Sequence, residues 1–234
     1  MLQYDKIYKQ IHCLIRGETL CYISDILVNP RLLLRHEALH IKTVLSFNQK
    51  NGGIKMRIIN MNDLNQMQIN QAAKILTESL PLGYSTVHDA FEEINERLIS
   101  ESTLLAAVED DIIIGWGGIL APIYDGNVFE LHPLAVRKDK RKQGVGGAIV
   151  FALEEEARKQ GGLTIHLGAD DEKEGGETSL ANVDLYDDLS GKIRDFVPGT
   201  HQAGFYIKLG YKIIGVMPDA NGIGKPDIFF GKKL

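Results

Sequence analysis

Apolar residues recur along most of the chain with two different periods, one close to two residues and one close to 3.6. The first period predicts strands at 57–60, 104–108, 112–120, 128–136, 164–167, 211–217 and 226–232. The second predicts helices at 65–80, 86–98, 146–160 and 202–209. Residues 170–200 are polar and predict a loop with short helical turns. This order of elements, without internal repeats, predicts an α/β (α+β) fold built on a mixed sheet.

The first 55 residues differ from the rest of the chain in pattern and in charge. They hold eight Lys and Arg against four Asp and Glu, whereas the remainder holds 18 against 27, and their apolar patches are short and poorly capped. Met56 follows Gly52-Gly53-Ile54-Lys55, and Gly-Gly shortly before a Met is what a translated GGAGG ribosome-binding site would encode. Residues 1–55 are therefore either a genuine N-terminal extension or translated upstream sequence, and residues 56–234 form the predicted domain.

Composition narrows the classes to which the chain can belong. With 234 residues and 44% hydrophobic side chains, it can bury a sizeable core. Its net charge of −5 argues against a nucleic-acid partner and suits a cationic substrate. No apolar run approaches the roughly 20 residues that span a bilayer, so we expect no membrane partner. Cys13 and Cys21 give neither a disulfide framework nor metal-ligand spacing, which favours the reducing cytoplasm.

A basic, glycine-rich turn joins the strand at 128–136 to the following helix. Six residues, Arg141, Lys142, Gln143, Gly144, Val145 and Gly146, fit the pattern Arg/Gln-x-x-Gly-x-Gly/Ala, and Gly147 follows them. Glycines at a helix N-terminus let free backbone N–H groups and the positive end of the helix dipole approach an anion. Arg137 and Lys140 are expected to add positive charge there. The turn predicts a pyrophosphate site, the alternative being a softened loop before an ordinary helix.

The strand before this turn carries candidate chemistry. Alternation places Glu130, His132 and Leu134 on one face of the sheet. Pro133 cannot donate a backbone hydrogen bond, so we expect the strand to be unpaired on one side and to splay from its neighbour. A splayed strand leaves backbone groups free to pair with an extended ligand.

Further sequence blocks follow in a fixed order. They are ELHPL at 130–134, LGADDE at 167–172, TSL at 178–180, DLY at 184–186, FYIKLGYKIIGV at 205–216 and PDANGIGKPDI at 218–228. Together with the glycine-rich turn, they resemble the aminoglycoside 6′-N-acetyltransferase branch of the GNAT family over about residues 57–234. The resemblance implies a twisted, mostly antiparallel sheet with a splayed central strand pair, acetyl-coenzyme A as cosubstrate, no metal, and a homodimer.

The resemblance also implies roles in acetyl transfer to a primary amine. Glu130 would deprotonate the amine, directly or through a water, with His132 close by. The backbone N–H of Leu134 would polarise the thioester carbonyl, and Tyr206 would protonate the leaving thiolate. The cofactor would contact Leu134, Ala135, Val136, residues 141–147 and Tyr206. From the residues alone, three alternatives stay open: Glu130 in a salt bridge, His132 as a satisfied sheet histidine, and Tyr206 as a core aromatic.

An acceptor site is predicted where carboxylates gather at the end of the sheet. Its candidate residues are Tyr84, Asp170, Asp171, Glu172 and Asp227, which would hold a polycationic sugar. A metal site without His or Cys ligands and a solvated acidic loop are the other interpretations.

One segment departs from the resembled family. Resistance-type relatives carry Trp-Pro followed by acidic residues where this chain has Leu80-Pro81-Leu82-Gly83-Tyr84. The departure leaves open another amine, such as a polyamine or a protein lysine. Outside enzymes, a noncatalytic acyl-coenzyme A-binding regulator is the alternative.

Overall fold

The computed structural model describes the backbone of residues 45–49 and 53–234, and the side chains from Met56 onward. The strands are β1 (Leu45–Gln49), β2 (Gly53–Asn60), β3 (Thr103–Glu109), β4 (Ile112–Ile119), β5 (Val128–Val136), β6 (Thr164–Asp170), β7 (Lys212–Met217) and β8 (Asp227–Lys233). The helices are α1 (Gln66–Ser79), α2 (Val87–Leu98), α3 (Val145–Lys159), α4 (Leu189–Arg194) and α5 (Ala203–Lys208). Within these residues, no helix is both long enough and apolar enough to cross a lipid bilayer.

The strands form one sheet of eight, in the order β1-β2-β3-β4-β5-β6-β8-β7. Neighbouring strands are antiparallel except β5 and β6, which are parallel. That parallel pair is joined over three positions only, with Val128 to Glu130 opposite Thr164 to His166. The mixed, mostly antiparallel sheet with a parted central strand pair is therefore confirmed.

Two apolar layers fix the helices on the sheet. Helices α1 and α2 cover one side, called here the α1 face, over a core that includes Ala72, Ile94 and Trp116. Helix α3 covers the opposite side, the α3 face, over a core that includes Phe129 and Ile149. The Trp116 indole also donates a hydrogen bond of 2.9 Å to the Ala72 carbonyl oxygen, which ties α1 to β4. Burying each large apolar side chain contributes about 1.5–3 kcal/mol.

A buried ion pair ties α3 to the second half of the sheet. Both carboxylate oxygens of Glu154 lie 2.8 Å from Nζ of Lys232 on β8. The Glu154 side chain is only 3% exposed, and a carboxylate at that depth is tolerated because it is paired. Since the glycine-rich turn leads directly into α3, this pair also helps to place the turn.

The structure differs from the sequence predictions at two strand ends. β6 continues past its predicted end at 167, because Leu167 to Asp170 pair with Phe230 to Asp227 of β8. β2 begins at Gly53 and pairs with β1, a strand that the apolar pattern does not predict. The rest of the predicted extension, residues 1–44 and 50–52, lies outside the described residues. The domain boundary at Met56 stays a prediction.

Candidate functional site

The glycine-rich turn presents free backbone donors at the start of α3. Gly144 has φ +85°, a left-handed conformation that favours glycine, and α3 begins at the next residue. The Gly144 carbonyl oxygen accepts from the N–H of Ala148 at 3.0 Å. The N–H groups of Val145, Gly146 and Gly147 in the first helical turn therefore have no partner within the helix. These N–H groups form the positive end of the helix dipole, which favours the binding of an anion.

The positive charge around this turn is smaller than the sequence predicts. Arg137 pairs with Asp139 at 2.6 Å, and Lys140 pairs with Glu109 of β3. The prediction that these two cations act on the turn is wrong, since each is bound to a carboxylate. Arg141 instead donates to the Val136 carbonyl oxygen and to Ser79 Oγ, both at 3.0 Å, and so links the turn to the end of α1.

A gap opens between β5 and β6 beside this turn. Beyond Glu130, β5 pairs only with β4 in the part of the chain that the structure describes. Residues 167–170 of β6 likewise pair only with β8 there. We call this gap the strand opening. Because both strands run in the same direction, it lies at their carboxyl ends, where the turn follows β5.

A bulge in β5 changes which side chains share a face. The step from Leu131 to Leu134 lies opposite the shorter step from Ile119 to Gly117 on β4, so β5 carries one extra residue. Leu131 belongs to the core of the α3 face, and Leu134 packs against the same core. The prediction that Leu134 shares a face with Glu130 and His132 is therefore wrong. Pro133 was the sequence signal that could have predicted the bulge, because proline within a sheet is often found at bulges.

On the α1 face, His132 meets two residues from other elements. Its Nε2 lies 3.2 Å from Oη of Tyr84, so the structure brings together two residues that the sequence analysis assigned to separate roles. Nε2 also lies 3.8 Å from Oε1 of Glu93 on α2, a residue that the sequence analysis missed. Burial first, and then the charge of Glu93, raise the pKa of Tyr84 to about 12, so its hydroxyl stays protonated. Glu93 directly precedes the buried Ile94, so the sequence places Glu93 at the edge of the apolar stripe of α2. That position was the signal that could have identified it.

Three carboxylates, those of Glu130, Asp170 and Asp227, lie close together on the α1 face of the sheet. Glu130 lies beside His166 in the short paired stretch of β5 and β6, and Asp170 lies beside Asp227. The Asp227 carboxylate rests against Gly168, where an added Cβ would stand 2.8 Å from its Oδ2. One Asp227 oxygen is buried and has no hydrogen-bond partner among the described residues. Burial, followed by the charges of Asp170 and Glu130, raises the pKa of Asp227.

Asp171 has a structural role that the sequence analysis did not anticipate. Its side chain is fully buried, and its two oxygens accept from the N–H groups of Glu177 and Thr178, both at 2.8 Å. The prediction that Asp171 binds substrate is therefore wrong, because no part of its carboxylate is free. Glu172, the next residue, is partly exposed. Among the described residues, no His, Cys, Asp and Glu group could hold a metal ion.

Tyr206 lies in α5, a helix that contacts the glycine-rich turn through Phe205. Its ring packs on Phe205 with 5.0 Å between ring centroids, and an added Cβ at Gly146 would stand 3.3 Å from that phenylalanine ring. Burial raises the pKa of Tyr206 well above its usual value, so the phenol is protonated at neutral pH. The residue is thus a core aromatic, and its role as the proton donor stays a prediction.

A second missed residue, His201, fixes the start of α5. Its Nδ1 accepts from the backbone N–H of Ala203 at 3.2 Å, and its Nε2 lies 3.0 Å from the carbonyl oxygen of Asp170. A backbone N–H only donates, so Nδ1 carries no proton and Nε2–H donates to Asp170. His201 therefore joins the end of β6 to the helix that carries Tyr206.

Comparison with known proteins identifies relatives of this arrangement. Residues 69–176 match the model of the family described as "Acetyltransferase (GNAT) family". An aminoglycoside 6′-N-acetyltransferase complexed with coenzyme A is 37% identical, covers 75% of this chain and 96% of its own, and superposes with a TM-score of 0.70. The aminoglycoside 6′-N-acetyltransferase from Enterococcus faecium is also 37% identical, covers 75% of this chain and 96% of its own, and superposes with a TM-score of 0.69. Comparison with curated proteins finds no significant match.

We expect Gly146→Glu to abolish coenzyme A binding. The new side chain would meet Phe205 and would bring a negative charge to the helix N-terminus, where we expect the backbone donors to bind phosphate. Gly146→Ala should weaken binding less, because the phenylalanine ring has to shift by only a few tenths of an ångström. Titration calorimetry with coenzyme A measures both affinities. An unchanged affinity in a folded Gly146→Glu variant would exclude this turn as the phosphate site.

We expect the neighbouring aspartates to respond differently to substitution. Asp171→Asn should lower the free energy of unfolding by about 1.5–3 kcal/mol, because it removes a charge from two buried hydrogen bonds. Asp170→Asn should leave stability near that of the parent and raise the Michaelis constant for a cationic acceptor. Chemical denaturation and steady-state kinetics separate the two effects. The structural role of Asp171 fails if its Asn variant keeps full stability.

Proposed function

The chain belongs to the GNAT family of acetyltransferases, and we propose that it acetylates the 6′-amine of an aminoglycoside. Acetyl-coenzyme A is the cosubstrate, in line with the coenzyme A complex of the similar enzyme. The observation that carries the proposal is the strand opening, where free backbone donors on one side meet a group of carboxylates on the other. An anionic cofactor and a cationic acceptor would approach one point from opposite sides.

The cofactor would extend from the glycine-rich turn into the strand opening. Its pyrophosphate would bind the backbone N–H groups of residues 143–147. Its pantetheine arm would then lie along the free edge of β5 at Leu134, Ala135 and Val136, in the manner of an added strand. Arg141, which braces the turn against α1, would keep these donors in place.

The reaction begins with removal of a proton from the acceptor. A primary alkylamine is mostly protonated at neutral pH, taking the lysine pKa of about 10.4 as a guide, and only the neutral amine attacks the thioester. Glu130 would accept that proton, directly or through a water. The backbone N–H of Leu134 would stabilise the negative charge on the thioester oxygen. Tyr206 would donate its phenolic proton to the departing thiolate.

The acceptor would lie on the carboxylate side of the strand opening. Asp170, Glu172 and Asp227 would bind the other ammonium groups of a polycation, and Tyr84 would border the site beside His132. The segment 80–84 carries no acidic residue. That observation favours, as a second candidate, a smaller amine such as a polyamine, which needs fewer ionic contacts. We further expect a cytoplasmic homodimer.

We expect turnover of aminoglycosides to depend on salt and on the 6′ substituent. Kanamycin and neomycin should be acetylated with a Michaelis constant that rises with salt, because dispersed surface charges are screened beyond about 8 Å at physiological ionic strength. A 6′-hydroxyl analogue should inhibit without reacting. Thiol release over a panel that includes polyamines and a lysine peptide tests this. Much faster turnover of one of those amines would exclude the aminoglycoside assignment and keep the acetyltransferase chemistry.

We expect Glu130→Gln to reduce turnover at neutral pH by roughly 100-fold, because general-base catalysis contributes about 10²–10⁴-fold. The affinity for coenzyme A should stay unchanged, since Glu130 lies on the carboxylate side of the opening. Tyr206→Phe should have a smaller effect, because solvent can protonate the thiolate slowly. Rate profiles over pH 6–9 measure both. Full activity of Glu130→Gln across that range would mean that another group accepts the proton.

A further inference from the structure

Gly168 is an exposed glycine within β6, on the face of the strand that also carries Asp170. Its neighbours Leu167 and Ala169 belong to the core of the α3 face, so alternation places Gly168 on the α1 face, beside the strand opening. Its φ is not in the left-handed region, and the backbone by itself therefore does not require glycine here. The reason for a glycine lies instead in what occupies the space next to its Cα.

The Asp227 carboxylate occupies the space that a side chain at position 168 would need. A Cβ there would stand 2.8 Å from Oδ2, 3.0 Å from Oδ1 and 3.3 Å from Cγ of Asp227, and these are its three nearest atoms. A real Cβ is essentially never found closer than 3.0 Å to another heavy atom, so the carboxylate would have to move. Because it is the end of a flexible side chain, it can move without disturbing the sheet.

The glycine allows Asp227 to lean over β6 toward Glu130. In the register of β8 and β6, Asp227 is opposite Asp170, yet its carboxylate rests on Gly168, two residues earlier in β6. Glu130 is opposite His166, a further two residues earlier. The charge of Glu130 is among the causes that raise the pKa of Asp227, in agreement with this direction. Asp227 is thus carried from the end of the sheet toward the strand opening.

The carboxylates around Gly168 lack a positive partner within the protein. None of Glu130, Asp170 and Asp227 forms a salt bridge within residues 56–234. Asp170 accepts a hydrogen bond of 2.6 Å from the neutral side-chain amide of Asn221. Like charge and burial both disfavour a carboxylate at the position of Asp227. A bound cation would offset that cost, so the arrangement suits a ligand that supplies an ammonium group.

We propose that Gly168 is a positioning residue for Asp227, and that the pair selects acceptors with a second ammonium group close to the amine that reacts. Glu130 serves the reacting amine, and Asp227 accepts a hydrogen bond from the neighbouring ammonium. The acceptor class is then a molecule with at least two amines a few bonds apart, as in an aminoglycoside or a polyamine, and an isolated amine such as a lysine side chain is disfavoured. This inference rests on the proposed function.

A matched pair of glycine substitutions tests the proposal. Gly168→Ala displaces the Asp227 carboxylate, whereas Gly215→Ala makes the same change in β7, where the new Cβ would make an ordinary contact of 3.5 Å with Phe229. The assay uses saturating acetyl-coenzyme A and whichever of kanamycin and spermidine the parent acetylates faster. Gly168→Ala should raise the Michaelis constant for that amine by roughly 10-fold and leave kcat near the parent value, because a hydrogen bond to a charged group is lost. Gly215→Ala should change neither.

Two further measurements separate positioning from a packing role. Asp227→Asn should raise the same Michaelis constant, and Gly168→Ala added to it should cause no further rise, because both changes act on one carboxylate. The melting temperature of Gly168→Ala should not fall, since alanine is favoured over glycine in a strand and a carboxylate is released from burial. An unchanged Michaelis constant in Gly168→Ala, additive rises in the double variant, or a lower melting temperature would overturn the proposal.

Carbon-13 NMR of the aspartate carboxyl groups tests the positioning without any acceptor. In the parent, Asp227 should titrate above the usual aspartate pKa, and in Gly168→Ala its midpoint should move toward the usual value. An Asp227 titration that Gly168→Ala leaves unchanged would exclude the positioning role. A parent protein that acetylates neither amine would overturn the proposed function and the acceptor selection that rests on it, while this titration would still decide whether Gly168 positions Asp227.

Discussion

Parallel strands β5 and β6 exchange hydrogen bonds over three positions and then part, which leaves backbone donors and acceptors on two facing edges. Such groups cost free energy when they are buried without partners, on the order of 1–3 kcal/mol each. A ligand that supplies the missing strand removes that cost, so the sheet itself is a site for an extended molecule. The glycine-rich turn and the bulge in β5 both lie beyond Glu130, the last residue of β5 that pairs with β6.

Local signals in the sequence were sufficient for most of the fold. The helices and strands follow from apolar periodicity, which each segment carries by itself, and Pro133 was enough to predict the parting of β5. The bulge was missed because alternation counts positions and does not show an extra residue. Lys140 was misjudged because its partner, Glu109, lies on a strand 31 positions away along the chain. Glu93 and His201 were missed for the same reason, since their partners come from other elements.

The adjacent residues Asp170 and Asp171 show where composition stops being informative. They have the same side chain and consecutive positions, yet Asp170 is exposed on the sheet face while Asp171 is buried beneath the following turn. Only the register of β6 with β8 and the path of the chain after it separate the two. A cluster of acidic residues in a sequence therefore predicts negative charge at a sheet end. It does not show which carboxylate is free to bind a cationic ligand.

The long connection from β6 to α5 is pinned at both ends by buried polar side chains. Asp171 closes the turn at its start, and His201 ties its end to the carbonyl oxygen of Asp170. Leu180 and Leu185 seat its middle in the core of the α3 face. The exposed residues between these points can change in evolution without disturbing the strand end or the helix that carries Tyr206. A lineage could thus alter which molecules the protein accepts while its chemistry is inherited intact.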